Sequence, residues 1–151
     1  MTENIQSFSS MLRQALGDRI DAGAESFLEM MADDGVMEFP YASTGLPTRL
    51  EGRAAIANHL EELGNIIAFD RMGEPVVHSS VDPAVVIVEF EGFGRGLTTG
   101  EPYDQRYISV IRTSGGRIVQ YRDYWNPLVV LRATKGAAVV DAFVAGRADH
   151  A

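Results

Sequence analysis

The stretch "AVVIVEFEGFGRG", residues 84–96, decides the fold. Apolar and polar residues alternate along it, the two-residue period of a strand with one buried face. Gly92, Gly94 and Gly96 then fall on every second position. Side chains missing from one face predict a strongly bent or bulged strand, as a curved sheet requires. Before it, "IIAFDRM" (66–72) has strand character, and after it so do "YDQRYISVIRT" (103–113) and "GRIVQYRDYW" (116–125). The segments "GEP", "VDP", "TTGEP" and "SGG" supply turns between them, which predicts an antiparallel sheet.

Upstream of residue 66 the period is helical. "IQSFSSMLRQALGDR" places Ile5, Phe8, Leu12, Ala15 and Leu16 on one stripe, with Gly17 as the stop. "DAGAESFLEMMADDG" (21–35) does the same with Ala24, Phe27, Leu28 and Met31, leaving Asp33 and Asp34 as a solvated helix end. "VMEFP" (36–40) is a short strand closed by Pro40, and "YASTGLPTRL" (41–50) a turn-rich loop. "EGRAAIANHLEELG" (51–64) is a third helix with Ile56, Leu60 and Leu63 inward and His59 beside that stripe. Helix returns at "NPLVVLRATKG" and "AAVVDAFVAG". Helices followed by strands predict an α+β fold, with three N-terminal helices packed on a strongly curved antiparallel sheet around an apolar interior. A length of 151 residues predicts one domain over 1–151, in which 136–151 forms a C-terminal helical tail.

Composition narrows the function. A formal charge of -8 argues against a grip on nucleic acid, which needs clustered cations, and against a polybasic membrane patch. No cysteine is present, so disulfides, thiolate nucleophiles and Cys-metal sites are excluded. "MTENIQSFSS" lacks the basic flank and apolar run of a signal peptide, so the expected location is the cytoplasm. His78 and Asp82 lack the further ligands of a metal site, and "GFGRG" opens no helix as a phosphate loop would. Neither a metal nor a cofactor is expected.

The candidate chemistry lies in "YRDYWNPL" (121–128). Alternation puts Val119, Tyr121, Asp123 and Trp125 on one side, and Ile118, Gln120, Arg122 and Tyr124 on the other. A carboxyl between a Tyr and a Trp loses hydration, which raises its pKa toward the range useful for proton transfer. The opposing reading is an Asp solvated or paired with Arg122 or Arg106. The hairpin "RTSGGR" leaves two registers open, with Asp123 opposite Arg106 or opposite Tyr107. The segment stops because Asn126 is an N-cap residue and Pro127 suits a first helical turn. His59 is either a helix-edge residue or a proton shuttle. Phe39, Tyr41, Phe69 and Phe90 form the core, some of them lining a pocket.

These stretches together resemble the SnoaL-like branch of the nuclear transport factor 2-like superfamily. "RDYWNPL" followed by a helix is similar to the C-terminal signature of the phenazine-biosynthesis A/B proteins, Arg-Glu-aromatic-x-Asn-Pro. The resemblance implies a cone-shaped, cystatin-like α+β barrel, and a homodimer formed through the sheet. It implies a general acid at Asp123, one methylene shorter than that group's glutamate, assisted by His59 in "ANHLEEL". That group's Ser four residues after the His is Leu63 here. Ketosteroid isomerases match at "VMEFP", but their catalytic Asp falls at Phe39 and their helix-one Tyr has no counterpart near Ser9 to Leu12. The Arg-x-Asp of limonene-epoxide hydrolases is absent, since Arg95 is followed by Gly96 and Leu97.

Two functions are therefore carried forward. One is a cofactor-free isomerase, cyclase or condensing enzyme acting on an apolar or aromatic small molecule. In it Asp123 is the acid/base, His59 its helper, and Trp125, Tyr121, Phe39, Tyr41, Phe69 and Tyr107 the walls. The other is a binding or dimeric interaction module that uses the same interior without chemistry.

Overall fold

The computed structural model describes the backbone of residues 2–149 and the side chains of 8–146, so the expected inward side chain of Ile5 lies outside the described ones. Helix α1 (Thr2–Leu16) is followed by a 3-10 turn (Gly17–Arg19), a single turn α2 (Phe27–Met30) and strand β1 (Met31–Glu38). Then come β2 (Arg49–Glu51), α3 (Arg53–Gly64), β3 (Ile67–Met72), β4 (Val76–Ser79), β5 (Val85–Gly96), β6 (Pro102–Ser114) and β7 (Arg117–Trp125). Helices α4 (Pro127–Lys135) and α5 (Ala137–Asp149) complete the described chain. The strands form one 7-stranded sheet in the order β2-β1-β7-β6-β5-β3, with β4 paired to β5. No described helix is long and apolar enough to cross a membrane.

The α+β layout agrees with the sequence pattern, with three departures. The second helix shrinks to one turn. A capping box between Ser26 and Glu29 starts it, but at Met31 the chain turns extended and pairs with β7. Tertiary pairing outweighs the helical stripe there, and Met31 is fully buried opposite Ile118. Asp33 and Asp34 therefore sit in an irregular stretch of strand, where Asp33 pairs with Arg53 at 2.8 Å, and not on a helix end. Secondly, the sheet is mixed, because β1 runs parallel to β7 while every other pair is antiparallel. Thirdly, the sheet does not close as a barrel. Helix α3 packs on β1 and β2 at one edge and on β3 at the other, filling the gap that closure would remove. Short strands β2 and β4 went unread, each lying inside or between turn-rich segments.

One face of the sheet and the inner stripes of the helices make the core. Met11, Leu12, Ala15 and Leu16 of α1 and Ile56 of α3 are buried, and Phe8 meets Phe27 and Phe90 at 5.2 and 6.1 Å between ring centroids. The three alternating glycines of β5 each leave room that a neighbour occupies. A Cβ on Gly94 would lie 2.1 Å from the Ala68 carbonyl oxygen, beside a bulge of β3 between Phe69 and Arg71. A Cβ on Gly96 would lie 1.9 Å from the Ala133 carbonyl of α4. On Gly92 it would meet Tyr107, Met72 and Phe69.

Gly94→Ala should therefore cost about 1–3 kcal/mol of stability, as overpacking does. Gly146→Ala, in α5 with nothing within 4 Å, should gain a few tenths to ~1 kcal/mol. Urea unfolding of both variants checks the contrast, and equal midpoints would contradict the packing described.

A buried carboxyl among aromatic rings

Register places the candidate site. Strands β6 and β7 meet at a two-residue turn, Gly115 and Gly116, both at positive φ (58° and 79°), as a tight primed hairpin turn requires. The register shifts once, between Arg112 and Thr113, so that Thr113 faces Ile118 and Arg112 faces Gln120, leaving Val119 as the extra residue. Beyond this bulge Ile111 faces Tyr121, Ser109 faces Asp123 and Tyr107 faces Trp125. Strand β5 extends the same rungs with Val86, Val88 and Phe90. Neither anticipated register holds. Asp123 stands opposite Ser109, and not opposite Arg106 or Tyr107, because the turn falls at Gly115-Gly116 and the bulge then adds one residue more. For the same reason Ile118 is buried on the face of Tyr121, while Val119 is not fully buried.

Asp123 is 8% exposed. Ser109 Oγ lies 3.3 Å from its Oδ1 and is its hydrogen-bond partner among the described residues. Arg106 projects from the opposite face toward Glu91 at 3.8 Å, and Arg122 lies 3.9 Å from Glu38. No cation among the described residues offsets the burial, which pushes the Asp123 carboxyl up to about 8, the Ser109 hydrogen bond pulling the other way.

Phenols surround it. Tyr121, 1% exposed, has its hydroxyl 2.8 Å from Ser109 Oγ. Tyr107 stacks on Phe90 at 4.8 Å, and its hydroxyl is 3.0 Å from that of Tyr103. Burial raises all three phenols above their usual range, so they stay neutral donors. Phe69 packs edge-on to Tyr103 at 5.5 Å. Trp125 is 6.4 Å from Phe39, and Phe39 is 5.0 Å from His59. His59 is thus half-buried at the far side of Phe39, and desolvation lowers its pKa, keeping the imidazole neutral at pH 7. It reaches the Asp123 side through Phe39 and Trp125, with no hydrogen bond between the two.

One expected wall is misplaced. Tyr41 is 58% exposed and packs at 5.3 Å on Tyr124, which lies on the face away from Asp123. The turn after Pro40 carries it over the sheet edge. Conversely, Tyr103, Gln105 and Ser109 belong to the inner face and were not singled out. Their signal was present in the alternation of "YDQRYIS", but their relation to Asp123 depends on the bulge. Gln105 fixes the end of β7. Its Oε1 accepts from the Asn126 N–H at 2.8 Å and its Nε2 donates to the Asn126 carbonyl at 3.0 Å. Asn126 caps α4 as expected, its Oδ1 accepting from the Leu128 N–H at 2.9 Å with Pro127 following.

A separate open cleft of about 380 Å³ lies between Asp21, Gly23, Ala24, Glu29, Arg53 and Arg117. Its charges are engaged already: Arg117 with Asp21, Arg53 with Asp33 and the Met31 carbonyl, and Glu29 with Ser26. It has neither the apolar walls nor the shifted carboxyl of the inner face.

Residues 14–121 match the family model described as SnoaL-like domain. The chain belongs to the SnoaL-like family. Within it, an uncharacterized PhzA/B-like protein of Pseudomonas aeruginosa is 37% identical over 82% of this chain and 86% of its own. The uncharacterized protein YesE of Bacillus subtilis is 44% identical over 83% of this chain and 86% of its own. A crystal structure from Bacillus subtilis, provisionally named an isomerase, superposes at a TM-score of 0.72 with 43% identity, covering 85% of this chain and 92% of that one. The SnoaL-like resemblance and the phenazine A/B likeness read from "RDYWNPL" are thereby shown.

The shifted carboxyl has a thermodynamic consequence. An Asp whose folded pKa is raised from 3.8 to about 8 holds its proton where the unfolded chain has lost it. The stability it supplies is full below the unfolded value and is lost as pH rises through the folded one, at up to about 1.4 kcal/mol per pH unit. Asp123→Asn keeps the shape and removes this slope. Between pH 5 and pH 8 the variant should lose less stability than the parent in urea unfolding, and parallel curves would refute the shift.

Proposed function

We propose that this SnoaL-like protein is a cofactor-free isomerase, cyclase or condensing enzyme for an apolar or aromatic small molecule, with Asp123 as general acid/base. The observation that carries the reading is a carboxyl 8% exposed, held among aromatic rings by a serine hydroxyl and by no cation of the described residues. With a pKa of about 8 it is mostly protonated at neutral pH, so it donates first and acts as a base on the return step. A substrate carbonyl or imine against Asp123 would be protonated or enolised, and this needs no redox group. Neutral His59 can accept or pass on a proton at the Phe39 side. Trp125, Phe39, Phe69 and Tyr107 supply apolar walls, while Tyr121 is 1% exposed with its hydroxyl on Ser109. A homodimer through the outer face of the sheet and a cytoplasmic location belong to the same reading.

The alternative is a small-molecule-binding or interaction module. The separation of His59 from Asp123 by Phe39 favours it, since the two form no hydrogen-bonded acid/base pair.

Solvent-deuterium exchange at the α-carbons of a panel of aromatic ketones, followed by proton NMR, separates the two. The wild type should exchange bound ketone protons above the buffer rate, and Asp123→Asn should lower that rate on the order of 10²-fold with binding retained. The acid-dependent step should also decline above pH 8, where Asp123 ionises. Exchange at the buffer rate leaves the binding module, and a variant as active as the parent removes Asp123 as the acid/base.

A further inference from the structure

Strand β6 turns Tyr103, Gln105, Tyr107 and Ser109 to the inner face, and all four are buried. The hydroxyls of Tyr103 and Tyr107 lie 3.0 Å apart and are hydrogen-bonded to each other. The pair holds two O–H protons, and its hydrogen bond uses one of them. Whichever phenol donates, the other is left with a proton to give. Neither hydroxyl has another acceptor among the described residues. Gln105 bears on the Tyr103 oxygen as a donor, opposing the rise of that phenol's pKa, and its own side-chain oxygen accepts from the Asn126 N–H at 2.8 Å.

An uncommitted O–H is costly in a buried place, and Phe at either position would fill nearly the same volume without it. The fold nevertheless fixes the pair closely. A Cβ on Gly92 would lie 3.1 Å from Tyr107 Cε2, so that glycine clears the ring's edge. Phe90 stacks on Tyr107 at 4.8 Å, and Phe69 packs edge-on to Tyr103 at 5.5 Å. Tyr107 and Asp123 sit diagonally on neighbouring rungs, Tyr107–Trp125 and Ser109–Asp123. Charge on Asp123 raises the pKa of both phenols, as groups facing one interior require. Arg106 and Arg122 pair with Glu91 and Glu38 on the outer face, so neither competes for an incoming oxygen.

We propose that the Tyr103–Tyr107 hydroxyl pair is a donor site for the carbonyl oxygen of an uncharged ligand, held beside Asp123. The proposal rests on the reading of this interior as a small-molecule site and names what that site selects. A ligand with apolar surface alone, or with N–H donors alone, leaves the phenol proton unused. The phenol that accepts within the pair is also the stronger donor for it, because linked hydroxyls polarise one another. With the oxygen held by the pair, Asp123 is left to the carbon skeleton beside it.

The test compares two ligands of one shape, acetophenone labelled with carbon-13 at the carbonyl and α-methylstyrene, in which a CH₂ replaces the oxygen. Binding is measured by calorimetry and the carbonyl stretch by infrared difference spectroscopy. In the wild type, bound acetophenone should absorb at lower frequency than in hexane and should bind more tightly than the alkene. The double variant Tyr103→Phe/Tyr107→Phe should return the frequency toward the hexane value and weaken acetophenone binding roughly threefold to tenfold. Its affinity for α-methylstyrene should stay that of the wild type, which a merely structural role of the hydroxyls would not preserve. Circular dichroism confirms the fold; should the double variant not fold, the two single variants replace it, and at least one must lessen the preference for the ketone. An unshifted stretch in the wild type, or the same shift and preference in the variants, overturns the proposal, and so does a wild type that binds neither ligand at millimolar concentration. Proton exchange is not read here, so the site fails separately from the catalytic reading. A shifted stretch without ketone exchange would keep the donor pair in a binding module; exchange that depends on Asp123 with an unshifted stretch would remove the pair alone.

Discussion

The cross-strand pair Ser109–Asp123 is the constraint on which the site depends, and one inserted residue creates it. With a two-residue turn at Gly115 and Gly116 and no bulge, Asp123 would face Ile108 on the outer side of the sheet. Val119 shifts the count by one and turns the whole end of β7 over. Tyr121, Asp123 and Trp125 then face inward together, and Arg122 and Tyr124 face outward. The bulge and the location of the carboxyl are one fact.

Burying an unpaired carboxyl is unfavourable, and the fold accepts it in a way that keeps the interior neutral. The arginines considered as its partners, Arg106 and Arg122, are directed to Glu91 and Glu38 on the other face. Asp123 therefore answers desolvation by holding its proton and not by finding a counter-ion. Departures of this kind from good packing concentrate where a protein does chemistry. The hydrogen-bonded phenols add donors without adding charge, so the acid/base character rests on one group.

Much of this was legible in the chain. The period of two after residue 66, the α3 stripe with His59 beside it and the Asn126-Pro127 start of α4 follow from local rules, and local interactions enforce them. So does the placing of Tyr121, Asp123 and Trp125 on one face, although the bulge decides that this face is the inner one. The failures have a common cause in long-range pairing. The residues from Met31 on carry a helical stripe, yet a strand far along the chain claims them. The neighbour of Asp123 depended on a bulge that no residue announces, since Val119 is an ordinary strand residue. Tyr41 looked like a wall because it is aromatic and close to Phe39, but the turn after Pro40 sends it to the opposite side. Ser109 and Gln105 looked unremarkable as a serine and a glutamine in a strand; only their partners give them meaning.

The parallel pairing of β1 with β7 also sets an order of assembly. Strands β5, β6 and β7 join through short turns, so their contacts close small loops. Joining β1 to β7 brings together residues such as Glu38 and Gln120, 82 positions apart. Loop-closure entropy makes such long-range docking slow relative to hairpin formation. Met37, beside Tyr121, and Phe39, over Trp125, arrive only with β1. The burial that raises the proton affinity of Asp123 is complete only in the assembled sheet. Its raised pKa is thus a property of the completed sheet and not of the hairpin that carries it.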